Sequence, residues 1–436
     1  MPRTAGALVQ SGSGLPPSPF RVASFSDLLE KRAGAIHCRL LSISAERLNM
    51  AHELAYVLID PYTISKSRTG GVVGRYLARS DLDLVACRMF GPSAELIRRY
   101  SELVRHADPA DVGTCNLLAD YIQTSCCPDS AGRPRRMLML LFEGENAVDK
   151  VWRVTGGATL RWGSGESIRD TYGDYIVNDD GCVRYFEPAV LVAPNAKRAA
   201  ATLRLWCEYT DADGGVIRKA IDTSAGDGGE TTLVMLKPDN FRYHSSRPGS
   251  IVDILSSSGL RIIGAKKFSM SVAQAEEFYS PVKKVLREKL KESAMKRSGE
   301  ALAREFNFEI PDEVKAMLGE SLSQLLMERE FENIVQFMTG HRPSECVSMD
   351  KTQVCSEECL ALLYYGPNAV SKIRTLLGST DPAKALPGSV RREYGSNIMV
   401  NAAHASDSTE NAVREMNIID INKDSIRPWV EKYYPM

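Results

Sequence analysis

The sequence predicts an α+β protein in which one arrangement is built twice. Short apolar strands alternate with segments of helical period, and ordered segments of the upstream half recur in the same order downstream. At 436 residues the chain has room for two or three domains, and 44% hydrophobic with 25% charged residues is ordinary for a globular protein. A formal net charge of −1 argues against a dedicated nucleic-acid surface, which needs clustered excess Lys and Arg. No apolar run approaches the roughly 20 residues that span a bilayer, so no integral membrane segment is expected.

Taken in order, residues 1–47 read as an N-terminal tail, partly disordered, whose first 24 residues are rich in Pro, Ser, Gly and Arg and hold no acidic residue. The expected compartment is cytoplasmic, with an organellar presequence left open by that acid-poor start. The ten cysteines are scattered, without C-x-x-C pairs, and read as reduced thiols. Leu54-Ala-Tyr-Val-Leu-Ile-Asp60 is a strand, Gly70–Leu77 opens a helix, and Leu84–Phe90 is the next strand. These parallel Thr231–Lys237, Pro248–Leu255 and Ile262–Phe268. Gly144-Glu-Asn-Ala-Val148 repeats as Gly366-Pro-Asn-Ala-Val370, and Gly165-Glu-Ser-Ile-Arg169 as Gly388-Ser-Val-Arg391. Polar, Gly-rich stretches at 208–215 and 223–230 place the boundary near residue 227.

The downstream half carries residues suited to phosphoryl chemistry. Lys237-Pro-Asp239 ends a strand; Gly366-Pro-Asn-Ala-Val-Ser-Lys-Ile-Arg374, Leu377-Gly-Ser-Thr380-Asp-Pro382 and Pro387-Gly-Ser-Val-Arg391 follow, and Asn401-Ala-Ala-His404-Ala-Ser406-Asp407-Ser408 closes the set. In this order the motifs resemble the nucleoside diphosphate kinase family over about residues 228–420. The resemblance implies tandem ferredoxin-like βαββαβ domains, each an antiparallel sheet with helices on one face. It implies His404 as the nucleophile of a ping-pong cycle, Glu415 as the carboxylate that orients the imidazole, and Ser406 and Tyr279 beside them. Lys237, Arg374 and Arg391 fall on phosphate-binding cations, Thr380 on a phosphate-binding hydroxyl and Asn401 on the residue that meets the sugar. Phe331 stands one step after the position where the family stacks the base.

The upstream copy, 48–227, is expected to be inactive. It has Asp60 opposite Lys237, Trp152 opposite Arg374, Ala158 opposite Thr380, Pro188 opposite Asn401 and Leu191 opposite His404; of the charged set only Arg169 persists. A leucine cannot accept a phosphoryl group, and an aspartate repels a polyphosphate.

The catalytic copy, 228–436, carries an insertion at about 282–330 that reads as a helical hairpin. Val282, Val285, Leu286, Leu290 and Ala294 mark one apolar face, and Val314, Met317, Leu318, Leu322, Leu325 and Leu326 the other, with Pro311 opening the second helix. The expected function is transfer of a γ-phosphoryl group from a nucleoside triphosphate to a diphosphate with Mg²⁺ held mainly by the nucleotide phosphates, so that no protein metal ligand is expected. The alternative is a nucleotide-binding scaffold or regulatory protein without turnover. Expected partners are ATP and other nucleoside tri- and diphosphates, with pairing of the two domains inside the chain and possible homo-oligomers.

Overall fold

The computed structural model describes residues 52–159, 165–221, 228–346 and 350–435. The expectations for the tail and for the boundary near 227 fall outside these residues. The strands are β1 (His52–Ile59), β2 (Asp83–Phe90), β3 (Met137–Glu145), β4 (Asp174–Val177), β5 (Val183–Glu187), β6 (Val190–Leu191), β7 (Glu230–Leu236), β8 (Arg261–Ser271), β9 (Val354–Gly366) and β10 (Ala403–Ala405). Eight of them form one sheet in the order β10-β7-β9-β8-β2-β3-β1-β6, and β4 and β5 make a separate ribbon. Read inward from either end, the order is the same for equivalent strands, and within each half it is the ferredoxin-like order of strands 4-1-3-2. The strand pairings are antiparallel.

The helices that matter upstream are α1 (Thr69–Arg79), α2 (Ala94–Arg105), α3 (Val112–Tyr121), α4 (Ala147–Thr155) and α5 (Ala196–Glu208). Downstream they are α6 (Arg247–Ser256), α7 (Val272–Tyr279), α8 (Val282–Phe306), α9 (Asp312–Thr339), α10 (Ala369–Leu377), α11 (Val390–Tyr394), α12 (Thr409–Ile418) and α13 (Arg427–Tyr433). The half-sheets meet where Arg88 of β2 pairs with Lys266 of β8. Over that junction α1 and α6 cross at glycines, and a Cβ on Gly249 would stand 2.3 Å from Gly70 O and from Gly74 N. Only a residue without a side chain allows backbones to come so close.

The downstream strands read as near-continuous apolar runs because both their faces are buried. Val234, Leu236, Leu360 and Leu362 join one core with Ile251, Leu255, Ile373 and Val390 of α6, α10 and α11. The alternate residues Leu233, Met235, Ala361 and Leu363 join a second core with Phe278, Val335 and Met416 of α7, α9 and α12. Side chains two apart share a face of a strand, so the expected single layer of helices is present and a second layer covers the opposite face. Each large side chain so buried contributes roughly 1.5–3 kcal/mol.

The hairpin forms as α8 and α9, with Asn307 turning the chain in the left-handed region at φ 58°. Its seam matches the expected apolar faces in part: Ala294 is buried, and Val282, Leu286, Leu290, Leu318, Leu322 and Leu326 are half-buried. Val285, Val314, Met317 and Leu325 are exposed, whereas Ala294, Gly299, Gly319, Ser323 and Met327 are buried. Small residues let the helices approach closely, and a Cβ on Gly319 would stand 2.9 Å from Met295 Cβ. Arg287 and Lys291 of α8 both pair with Glu320 of α9 at 2.5 Å. The expected thiols are free at the described cysteines.

Candidate active site

His404 sits in the middle of the short strand β10, opposite Met235 of β7. Ala403 and Ala405 flank it, and Ala402 before it holds φ at 70°. The same device stands upstream, where Ala189 holds φ at 63° before β6 and Leu191 lies opposite Leu58 of β1. Leu191 and His404 are therefore register equivalents. The His404 ring packs edge-on against Phe278 and Tyr279, with centroids 5.1 Å and 6.0 Å away.

Glu415 reaches this histidine from α12, whose N-terminus is fixed by Ser408 Oγ accepting from Asn411 N at 3.1 Å. Two helical turns on, the Glu415 carboxylate is 4% exposed and its Oε2 accepts from Ser406 Oγ at 2.6 Å. The same oxygen lies 3.0 Å from His404 Nε2, a close contact off the angle of a hydrogen bond. The histidine side chain is 22% exposed, and its Nδ1 has no protein partner among the described residues. Tyr279 is buried, its hydroxyl is likewise unpartnered, and burial holds its phenol far above the ordinary range.

A second group is organised by Asn401, which is 1% exposed. Its Oδ1 accepts from Lys237 Nζ at 2.8 Å, and its Nδ2 donates to Thr380 O at 3.0 Å and Ile398 O at 2.8 Å. Lys237 also donates to Met399 O at 3.1 Å. Burial first, and then the charge of Arg391, pushes the lysine down to about 8.

Arg391 of α11 spans the loop and the histidine strand, donating to Gly378 O at 2.9 Å and Ala403 O at 3.1 Å. Burial, then Arg374, pushes its guanidinium down to about 10. Its counterpart Arg169 makes the matching bonds, to Gly156 O at 3.0 Å and Val190 O at 3.2 Å. One duty of this arginine is thus architectural, which explains its persistence where Lys, Thr and His have gone. Arg374 and Thr380 are exposed and, with Arg391, Lys384 and Ala405, line an open cleft of about 480 Å³. Cations converging on a cleft beside a histidine strand can gather the charged oxygens of a polyphosphate.

Phe331 is placed otherwise. Its ring is 4% exposed in the core of α9, with Lys283 Nζ over it at 4.0 Å, and so offers no open face to a base. Three contributors escaped the sequence reading. Phe278 walls the histidine, Phe337 lies with its ring centroid 5.7 Å from Lys237 Nζ, and Lys384 lines the cleft. Lys384 lies four residues after Thr380 in the same loop, a spacing that could have flagged it; the aromatics read only as helix core.

The class is that of a paired α+β sheet with a histidine beside a buried carboxylate on one edge strand and cations around a neighbouring cleft. The nucleoside diphosphate kinase family profile matches residues 230–297 and 312–423. The nucleoside diphosphate kinase of Wolinella succinogenes is 30% identical over 187 residues, covering 43% of this chain and 92% of that protein. That of Campylobacter hominis is 29% identical, with the same coverage. An NDP kinase from Pyrobaculum aerophilum matches as a solved structure at 24% identity and a TM-score of 0.29, over 44% of this chain and 94% of its own. The chain belongs to the nucleoside diphosphate kinase family. Among the described residues no helix is long and apolar enough to cross a membrane.

Proposed function

We propose that the downstream half, residues 228–436, is a nucleoside diphosphate kinase with His404 as its nucleophile, and that the upstream half, 48–227, is an inactive copy that supports it. The observation that carries this reading is the His404–Glu415 contact at Nε2, which leaves Nδ1 as the nitrogen turned to substrate. The Nδ1 lone pair attacks the γ-phosphorus of a nucleoside triphosphate, the bond to the β,γ-bridging oxygen breaks, and the diphosphate leaves with that electron pair. A terminal phosphate oxygen of a second diphosphate then attacks the phosphorus, the P–N bond breaks, and the imidazole regains its lone pair. Magnesium would be held mainly by the nucleotide phosphates and would supply positive charge there. Lys237, Arg374, Arg391 and Thr380 meet the phosphate oxygens, Asn401 meets the sugar, and Glu415 balances charge developing on the imidazole. The pairing of β2 with β8 supports a domain pair inside one chain.

Binding without turnover is the competing reading, and the buried ring of Phe331 favours it. The full chain incubated with γ-labelled ATP and magnesium decides between them. The proposal expects acid-labile label on His404 that discharges to added GDP; nucleotide binding with no label, or label that GDP does not remove, would overturn it.

A further inference from the structure

The upstream half holds a partly open pocket of about 240 Å³ whose loop side matches that of the downstream cleft. Trp152, Ala158 and Val192 line it together with Leu103 of α2, Leu118 of α3 and Tyr56 of β1. The first three stand where Arg374, Thr380 and Ala405 line the downstream cleft. The site has therefore kept its place between helices and loop while its lining changed from cationic to apolar.

The charged side chains of its lining are already committed. Asp111 caps α3 by accepting from Thr114 N at 3.1 Å, and Asp108 accepts from Ala110 N at 2.9 Å. Arg198 donates to Ala107 O at 3.1 Å and to His106 O. An incoming phosphate would meet two carboxylates and a guanidinium already bound to carbonyls, so an anion is disfavoured. A neutral apolar guest loses nothing by leaving water. A ring that enters this pocket removes apolar surface, its own and that of the lining, from water at about 25 cal/mol per Å² and leaves no polar group of the lining without its partner. An apolar cavity of about 150 Å³ takes up benzene; this one has room for more.

We propose that the upstream half binds a neutral, mostly apolar molecule of one or two rings in the vestige of its nucleotide cleft. The proposal does not depend on turnover at His404.

The test uses the full chain and 4-fluorobenzyl alcohol as probe, followed by fluorine NMR and by tryptophan fluorescence. Saturable binding is expected, with a fluorescence response that Trp152→Phe removes and with no displacement by Mg-ATP. Ala158→Leu and Leu118→Phe, two independent fillings, should each weaken binding by about tenfold or more, while labelling of His404 by ATP is unchanged. Thermal melting identifies a variant that has not folded, and the other then decides. Absence of saturable binding to the wild-type chain, displacement by Mg-ATP, or indifference of a folded filled variant would each overturn the proposal.

Discussion

Arg88 and Lys266, two buried cations, face each other where the half-sheets join, and both donate to carbonyls of one C-terminal turn. Arg88 reaches Asn422 O at 2.9 Å and Lys423 O at 3.0 Å; Lys266 reaches Ile419 O at 3.0 Å and Asp420 O at 2.6 Å. Like charges opposed across a sheet repel, and burial pushes Lys266 down to about 8. The carbonyl dipoles of the turn offset that cost. Beyond the turn, α13 packs on the upstream half, where Tyr434 Oη donates to Leu54 O at 2.7 Å and Lys432 pairs with Glu143 at 2.6 Å. The joint between the halves is therefore closed by the end of the chain.

Replacing Arg88 with alanine strips buried carbonyls of their donor and leaves Lys266 opposite a void. We expect a loss of about 2 kcal/mol, the scale of hydrogen bonds from a charged donor left unmade less the relieved repulsion with Lys266, read as a lower urea midpoint. A variant within experimental error of wild type would show that the joint does not rest on this pair.

His404→Ala should abolish transfer while nucleotide binding stays measurable, because Lys237, Arg374 and Arg391 remain. Glu415→Gln keeps the shape of the side chain but loses the charge beside Nε2 and rearranges the bond from Ser406. Partners that orient metal-bound histidines are worth about 10–100-fold, and a fall in kcat of that order is expected, with the nucleotide dissociation constant unchanged. A weakened dissociation constant with kcat intact would assign Glu415 to binding instead.

The pH profile follows from Lys237, which is pushed down to about 8 by burial. Below that pH it is a cation held by Asn401 Oδ1 and Met399 O; above it the neutral amine attracts phosphate weakly. kcat/KM for Mg-ATP should decline as pH rises through about 8, well short of an ordinary lysine. Bound phosphate favours the charged form, so kcat itself should hold to higher pH. In Lys237→Arg the decline in this range should vanish, and its persistence would place the titration elsewhere.

The strands and motif order were legible because both faces of the sheet are apolar and the loop glycines recur at fixed places. The register equivalence of Leu191 and His404 could be counted from sequence alone. The second helical layer was less legible, since a run such as Leu233-Val-Met-Leu236 shows burial without showing what covers each face. The hairpin seam was legible only in part for a related reason: helical period marks leucines, but Gly299 and Gly319 set where the helices come closest. Phe331 lay in the right helix with its ring turned into the core. Such rotations by one residue are invisible until α9 is docked on α7.

The last prediction concerns Asp60, which occupies the place of Lys237 upstream. It is fully buried, caps a short helix by accepting from Thr63 N at 2.8 Å, and accepts from Tyr121 Oη at 2.9 Å. The same phenol lies 2.5 Å from Glu187 Oε2 and has one proton to give, so the two carboxyls compete for it. Burial pushes Asp60 up to about 6 and Glu187 up to about 7. The folded state therefore binds a proton at Asp60 between about pH 4 and pH 6 that the unfolded chain has released, and stability falls as pH rises through that window. At about 1.4 kcal/mol per pKa unit, Asp60 accounts for roughly 3 kcal/mol. Glu187 is half exposed, so its share is screened and is expected only to extend the fall toward pH 7. Asp60→Asn retains an oxygen for the Thr63 cap and does not titrate. The measurement is urea stability of wild type minus Asp60→Asn across pH 4 to pH 8. That difference should drop with rising pH by roughly the stated amount; a flat difference, or one that grows, would mean that Asp60 is ionised in the folded chain throughout.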